Sequence, residues 1–349
     1  MQYIFFLPEI HQMQTGGNIY NRHMMTHLMK SEKVHRVVIE NPFRSDHLKE
    51  DLKYLLAERG NIFIIDSLLA TNTDLLRSLD DINRSAGKYL MVHFLNILDS
   101  REKKIARIVE ENKHLECFDG FITSSHYSRE ILVKNGIPEN DVVIVKPGIL
   151  LPERLPDKTP NKPLRLLTVS SLLPGKGLLE ILEILDNLTD IEWHWELVGE
   201  TGIDPVYYQK FLRQVEQTPI RDRIFCSGAV AQEELFEKYR CSDIFILPSE
   251  FESCSMVTME AMAYGLPVVA HGVGGLTELV RNAKTGYLIS LNNQSEFSRQ
   301  LRQLMLKDEL RLQLGVQARQ VSTQFDSWET AAIRLNEFVK THSKNLTES

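Results

Sequence analysis

Apolar residues in this chain fall into short unbroken runs, each followed by a stretch where they recur every three or four positions. The first series is YIFFL (3–7), RVVIE (36–40), NIFIID (61–66), YLMVHFL (89–95), GFITSS (120–125) and VVIV (142–145). Continuous rather than alternating runs predict strands covered on both faces. Strands alternating with helical patterns predict a parallel sheet with crossover helices. A second series follows: LRLLTVSS (164–171), WHWELVG (193–199), RIFCSG (223–228), DIFILPS (243–249), PVVAH (267–271) and GYLIS (286–290). Between its strands, LLEILEILDNL (178–188) sets Leu178, Ile181, Leu182, Leu185 and Leu188 on one helical face.

The two series are separated by residues 146–164, which hold five prolines and little periodicity, as a linker does. The chain therefore reads as α/β, with two Rossmann-like doubly wound domains facing across a cleft and ligands at the carboxyl ends of the strands. The first domain spans 1–152 and the second 160–325. WETAAIRLNEFV (328–339) puts Trp328, Ala332, Leu335 and Val339 at helical spacing with no strand after it. That predicts a closing helix, within 326–349, packing back on the first domain.

Composition removes several classes of function. The 349 residues are 43% hydrophobic and 25% charged, ordinary for a soluble globular chain. A net charge of −7 gives no support to a nucleic-acid partner. No apolar run approaches the roughly 20 residues that span a bilayer. The start MQYIFFLPEIHQ lacks the basic head and cleavage site of a signal peptide. Cys117, Cys226, Cys241 and Cys254 show no metal-ligand spacing. The expectation is a cytoplasmic protein with reduced thiols.

The candidate chemistry sits in LPSEFESCSMVTMEAMAYGLPVVAHGVGGLTELV (247–280). Glu252 falls in a strand-to-helix loop and Glu260 about one turn inside the helix. On a single helix the two would stand about 80° apart; the loop lets both carboxylates enter one pocket from different heights. Free N–H groups around Ser255, Met256 and Val257 form an anion site at the helix start. Carboxylates beside it would accept hydrogen bonds from hydroxyls attached to that anion, as on a sugar or ribose. Any two glutamates taken alone are more often solvated or capping; the Gly-rich surroundings favour a site.

This stretch resembles the donor-site signature of retaining glycosyltransferases of the GT-B fold, glycosyl transferases group one (family four). That signature runs Glu, seven residues, Glu-Ala, a small-residue turn, Gly-Leu-Pro-Val-Val-Ala, then Gly-Gly and Glu. Other counterparts follow in order: QTGGNIYNRH (14–23), VHFL (92–95), VSSLLPGKGL (169–178), LVGE (197–200), CSGAV (226–230), CSDIFILPS (241–249) and NAKTGYLI (282–289). Similarity is weakest between residues 40 and 85.

The resemblance implies a UDP- or GDP-linked nucleotide-sugar donor held mostly by the second domain, and no cofactor beyond this co-substrate. Glu260 would bind the ribose hydroxyls and Glu252 those of the donor sugar. Lys176, with backbone N–H groups at Gly17 and around Met256 and Val257, would hold the diphosphate. Gly16 and Gly17 suit that task, since a backbone without Cβ approaches phosphate closely. Val230 would lie near the base, and His93 beside the sugar. No metal is implied, because cationic side chains and helix dipoles take its place. There is no Asp-x-Asp motif.

Three departures stand out. The family has Gly-Arg before the Lys-Gly loop, where this chain has Ser170 and Ser171. VKPGI (145–149) lacks the usual Asn before its Gly, and Ser253–Ser255 replaces Gly-Phe-Gly. The missing guanidinium would have made charge-assisted bonds to the leaving diphosphate. An unusual donor, a substitute cation such as Arg22 or Arg165, or a weakened member each fits. The alternatives to transfer are a nucleotide-sugar-binding protein with weak or lost catalysis and a GT-B nucleotide-sugar epimerase.

The acceptor is left open. Residues 1–152 carry 19 Lys+Arg and 20 Asp+Glu. The basic stretch SREKKIARIVEENK (100–113) is interleaved with acids and reads as a solvated helix, so membrane contact is at most transient.

Overall fold

A computed structural model describes residues 1–40, 50–99, 111–152 and 159–348. Most of the basic stretch 100–113 and the middle of the linker therefore lie outside the described residues. The chain forms two compact units. The first takes in residues 1–13, 17–148 and 326–349, and the second 14–16 and 149–325.

Both units are six-stranded, entirely parallel sheets among helices. In the first, the strands are β1 (Gln2–Pro8), β2 (Lys33–Ile39), β3 (Asn61–Asp66), β4 (Gly87–Val92), β5 (Gly120–Thr123) and β6 (Val142–Ile144). Their order is β2-β1-β3-β4-β5-β6. The direction of winding reverses between β1 and β3, so the loops that follow these strands open a crevice at the sheet's carboxyl edge. β1 and β3 are buried on both faces, which is why their sequences carry no alternation.

β4 stops at Val92, short of the full apolar run. The N–H groups of His93 and Phe94 donate to Ser67 Oγ at 3.1 and 3.2 Å, so the chain leaves the ladder there. The last helix, Trp328–Glu348, belongs to this unit. Tyr3 donates its hydroxyl to Asn336 Oδ1 at 2.7 Å, and the Tyr89 hydroxyl meets His342 Nδ1 at 3.2 Å. A Cβ on Gly148 would stand 2.1 Å from the Trp328 nitrogen, so the glycine in the loop after β6 lets the helix start against it.

The second unit holds β7 (Leu164–Val169), β8 (Trp193–Val198), β9 (Ile224–Gly228), β10 (Ile244–Leu247), β11 (Val268–His271) and β12 (Gly286–Ile289). Its order, β12-β11-β10-β7-β8-β9, reverses between β7 and β10. Trp193 and Trp195 are buried in its core. The indole N–H of Trp195 donates to Thr168 Oγ1 at 3.0 Å, and that hydroxyl donates to the Ile246 carbonyl at 2.9 Å. A polar chain thus crosses β8, β7 and β10 with its members satisfied. β10 gives way at Pro248, which has no N–H for the ladder. Among the described residues no helix is long and apolar enough to cross a membrane.

Candidate active site

The crevice between β7 and β10 receives the two loops that the sequence singled out. β7 is followed by Ser170, Ser171 and the Lys-Gly turn; β10 is followed by the loop that carries Glu252. Lys176 Nζ lies 2.7 Å from Glu252 Oε1, a charge-assisted bond between the two loops. Both side chains keep partial access to solvent, 26% and 12%, enough for a ligand to reach them.

Backbone packing fixes that pair. Gly177 has a left-handed φ of +65°, and a Cβ there would fall 2.1 Å from the Pro248 carbonyl oxygen. The Glu250 N–H donates to the Gly175 carbonyl at 2.8 Å. On the other side, the Gly275 N–H donates to the Glu252 carbonyl at 2.8 Å. Gly274, at φ +50°, comes so close that a Cβ would sit 1.9 Å from the same oxygen. The Glu252 backbone is thus clamped by a Gly-Gly turn, and the Lys176 turn by a glycine, where no other residue fits.

Met256–Ala263 is the helix after this loop. Its N-cap Ser255 makes no side-chain cap; the Ser255 hydroxyl meets that of Thr258 at 2.9 Å instead. The Ser255 carbonyl accepts from Thr258 and Met259 N–H. Among the described residues, no backbone bond uses the Met256 or Val257 N–H. These are the open donors expected at a helix start, and they favour an anion.

Glu260 lies further along this helix. Tyr239, buried on the preceding helix Gln232–Cys241, donates its hydroxyl to Glu260 Oε2 at 2.9 Å. Burial pushes the Glu260 carboxyl up to about 7, against the opposing pull of that hydrogen bond. Val230, after β9, packs partly buried against the adjoining core.

His93 belongs to the other unit. Asn21 Nδ2 donates to Asp66 Oδ2 at 2.7 Å, which leaves Asn21 Oδ1 to accept from His93 Nε2–H at 2.9 Å. Asp66 Oδ1 also accepts from the Leu68 N–H at 2.9 Å. Burial lowers the His93 pKa, with the Asp66 carboxylate opposing. Gly16 and Gly17 open the helix Gly16–Leu28. A Cβ on Gly17 would stand 2.9 Å from His93 Cδ2, so this glycine lets the imidazole ring lie against the helix start.

The second unit brings together Lys176 and Glu252, and sets Ser255, Met256, Val257 and Glu260 along one loop and helix. Ser171, half-buried, follows β7 on the neighbouring side of the crevice; the Leu172 N–H after it donates to the Glu200 carbonyl at 2.8 Å. The suggestion that Arg165 replaces the missing arginine is corrected by the sheet. Arg165 is the second residue of β7, exposed, at the end away from the crevice. Five residues of strand put it about 16 Å from Ser170. Arg22 lies on the exposed side of the helix Gly16–Leu28. Sequence reasoning passed over Tyr239, Asn21 and Asp66. Tyr239 sits in KYRCSDIFILPS as one more apolar helical position, and Asp66 closes a strand as many acids do. Among the described residues no group of three or more His, Cys, Asp or Glu is arranged to hold a metal.

Residues 152–321 match the family described as Glycosyl transferases group 1. A D-inositol 3-phosphate glycosyltransferase of Xylanimonas cellulosilytica is 28% identical over 249 residues, 67% of this chain and 60% of that one. An N-acetyl-alpha-D-glucosaminyl L-malate synthase of Bacillus anthracis is 30% identical over 164 residues, 46% of this chain and 42% of that one. The matches thus span less than two thirds of these relatives. Among solved structures, sucrose-phosphate synthase from Thermosynechococcus elongatus superposes with a TM-score of 0.78 at 19% identity, covering 100% of both chains. The Anabaena protein HepE, solved with UDP and glucose, gives 0.76 at 16% identity, covering 97% of this chain and 99% of that one. These likenesses show the fold, which is GT-B.

Proposed function

We propose that the protein is a retaining glycosyltransferase using a UDP- or GDP-linked sugar, a reading supported by the match of residues 152–321 to the family of glycosyl transferases group 1. The observation that carries the reading is the Lys176–Glu252 pair, 2.7 Å apart at the β7/β10 crevice beside the open N–H groups of Met256 and Val257. A cation and a helix start suit a diphosphate; two carboxylates suit the hydroxyls of a sugar and a ribose. A nucleotide sugar joins these features in one molecule.

In this reading the diphosphate lies on Lys176 and the helix start, so the charge that grows on the leaving phosphate meets fixed donors. Glu260 accepts the ribose hydroxyls, and Glu252 orients the sugar. The leaving phosphate takes the acceptor's proton on the face it departs from, which retains the anomeric configuration. No side chain acts as nucleophile and no metal takes part; the protein supplies orientation and electrostatics. The reaction belongs to the cytoplasm, and the acceptor is a saccharide, lipid or small molecule.

Ser171 favours a second reading, a nucleotide-sugar-binding protein with weak catalysis, because the position lacks the cation that would assist departure. One experiment separates them. Purified protein is offered UDP- and GDP-sugars, and binding and release of free nucleoside diphosphate are measured, with product configuration read by NMR. Release with retained configuration supports transfer; binding without release supports the second reading. Failure to bind any nucleotide sugar sinks both.

A further inference from the structure

Tyr239 is fully buried, yet its hydroxyl has two acceptors within reach. It lies 2.9 Å from Glu260 Oε2 and 3.3 Å from the Val257 carbonyl oxygen. The ring is held from the side by Tyr264, stacked at 5.6 Å between centroids and tilted by 22°, and Phe236 packs on Tyr264 at 5.7 Å. The phenol oxygen therefore sits at a fixed point between a carboxylate and the first turn of the same helix. One proton serves both acceptors. It favours the charged one, because a hydrogen bond to an ion is roughly twice as strong as one to a neutral group.

Resting on the donor reading above, we propose that Tyr239 is a positioning residue for Glu260: its hydroxyl occupies Oε2, aims Oε1 at the ribose, and keeps the carboxylate ionised when the donor arrives. When Glu260 takes up a proton, the arrangement can reverse. The carboxyl group then donates to the Tyr239 oxygen, and the phenol proton turns to the Val257 carbonyl. Protonation thus removes acceptor strength from the ribose end of the site through a bond already in place.

The surroundings leave Tyr239 as the deciding partner. Besides burial, only the Tyr239 hydrogen bond shifts Glu260, and it acts to lower the pKa. Tyr264, at the end of the Glu260 helix, stacks on the Tyr239 ring, and its own phenol feels the charges of Arg240, Glu260, Glu237 and Arg319. Arg319, on the packed helix Asp308–Ser322, is engaged by the carbonyls of Ala263 and Pro152.

Tyr239→Phe removes the hydroxyl and keeps the stacked ring. Two titrations test it. In ligand-free protein labelled at glutamate carboxyl carbons, the resonance missing from Glu260→Gln reports Glu260; its midpoint should rise by about one pH unit or more in Tyr239→Phe. An unchanged or lower midpoint overturns the proposal. In the second, UDP and GDP binding is followed from pH 5.5 to 9. Tyr239→Phe should lose several-fold in affinity near pH 7 and almost nothing at pH 9. An equal loss at every pH is the mark of a purely structural role and also overturns it. If wild type binds neither nucleotide, the donor reading fails, while the ligand-free titration still decides whether Tyr239 controls Glu260.

Discussion

Lys176 and Glu252 meet at 2.7 Å although 76 positions separate them in the chain, because the loops after β7 and β10 flank the crevice where the sheet reverses direction. The cation proposed to hold a diphosphate is therefore already engaged by a carboxylate before any ligand binds. An incoming diphosphate has to share Lys176 or displace Glu252, and a Glu252 released in this way is available to the hydroxyls of the sugar.

That exchange predicts opposite effects on binding and turnover. Glu252→Gln keeps the shape of the side chain and removes its competing charge. Affinity for bare UDP or GDP should rise about two- to tenfold, which is about 1.4 kcal/mol at the upper end. Turnover of the nucleotide sugar should fall by about a hundredfold or more, since the lost contact is one that orients the reacting sugar. Calorimetry with bare nucleotide decides the first half: weaker binding by Glu252→Gln would show that the pair holds the site together and does not compete with the ligand.

Glu260 predicts a pH dependence with a definite sign. Its carboxyl is raised to about 7 in the folded chain, above the usual 4.5. The stability it contributes is present in acid and lost as pH rises through about 7, because the folded state binds the proton more tightly than the unfolded state. Glu260→Gln should therefore melt higher than wild type at pH 8 and lose that advantage at pH 4.5. Ligand binding runs the other way, since the ionised carboxylate is the better acceptor for ribose: affinity for nucleotide should climb between pH 6 and 8 in wild type and stay flat in Glu260→Gln. Melting curves and titrations at three pH values check both halves.

Much of this was legible in the sequence, and the exceptions have physical causes. Among the described residues the twelve runs became twelve strands; inner ones such as β3, β10 and β11 are covered on both faces and leave an unambiguous record, whereas β2 and β9 carry exposed positions. Glu252 was legible as a loop residue and Glu260 as a helical one, because Pro248 stops the strand before them. Strand ends were less legible: the run 89–95 hides the point at which Ser67 takes the N–H groups of His93 and Phe94. The partners of the site residues were not legible at all. Tyr239 reaches Glu260 from another helix, and Asn21 links Asp66 to His93 across 45 and 72 positions. Such bonds are set by how elements pack, and no periodicity records them. Arg165 shows the converse error: closeness in sequence to Ser171 hid the length of the strand between them.

The glycine clamps predict a local defect. Gly274→Ala forces a side chain onto a left-handed backbone and toward the Glu252 carbonyl oxygen, 1.9 Å from the ideal Cβ. Gly177→Ala does the same against Pro248, at 2.1 Å. Left-handed strain alone is worth about 1–3 kcal/mol, and the clash adds to it. Each variant should melt several degrees lower and lose nucleotide binding. Gly202→Ala is the control, since nothing lies within 4 Å of its Cβ position. Nucleotide binding that survives both clamp variants would detach the Lys176–Glu252 pair from the ligand site.

If Lys176 and backbone donors hold the diphosphate, a chelator should leave donor binding and transfer nearly unchanged. The measurement is transfer rate and nucleotide affinity after treatment with EDTA, with and without added Mg²⁺ or Mn²⁺. A steep and reversible dependence on either ion would replace this site with a metal-bridged one.

Ser171 offers the sharpest test of whether the protein is a full-strength enzyme. It is half-buried just after β7, on the same loop as Lys176, where the resembling family carries arginine. Arg165 cannot substitute, because it stands at the opposite end of the same strand. In the proposed reading Lys176 then meets the charge of the leaving diphosphate with the backbone N–H groups of Met256 and Val257. A hydrogen bond to a charged group is worth about 1.5–3 kcal/mol, and one aimed at charge that develops in the transition state is worth more. Ser171→Arg should therefore raise turnover by about tenfold or more if the site is otherwise intact. Lys176→Ala should remove nearly all of it, and Arg165→Ala should change nothing. Rates of donor hydrolysis and transfer under saturating donor decide among these outcomes. No gain from Ser171→Arg, together with a loss in Arg22→Ala, would mean that Arg22 has taken over the role. Full activity of Lys176→Ala would mean that the diphosphate lies elsewhere.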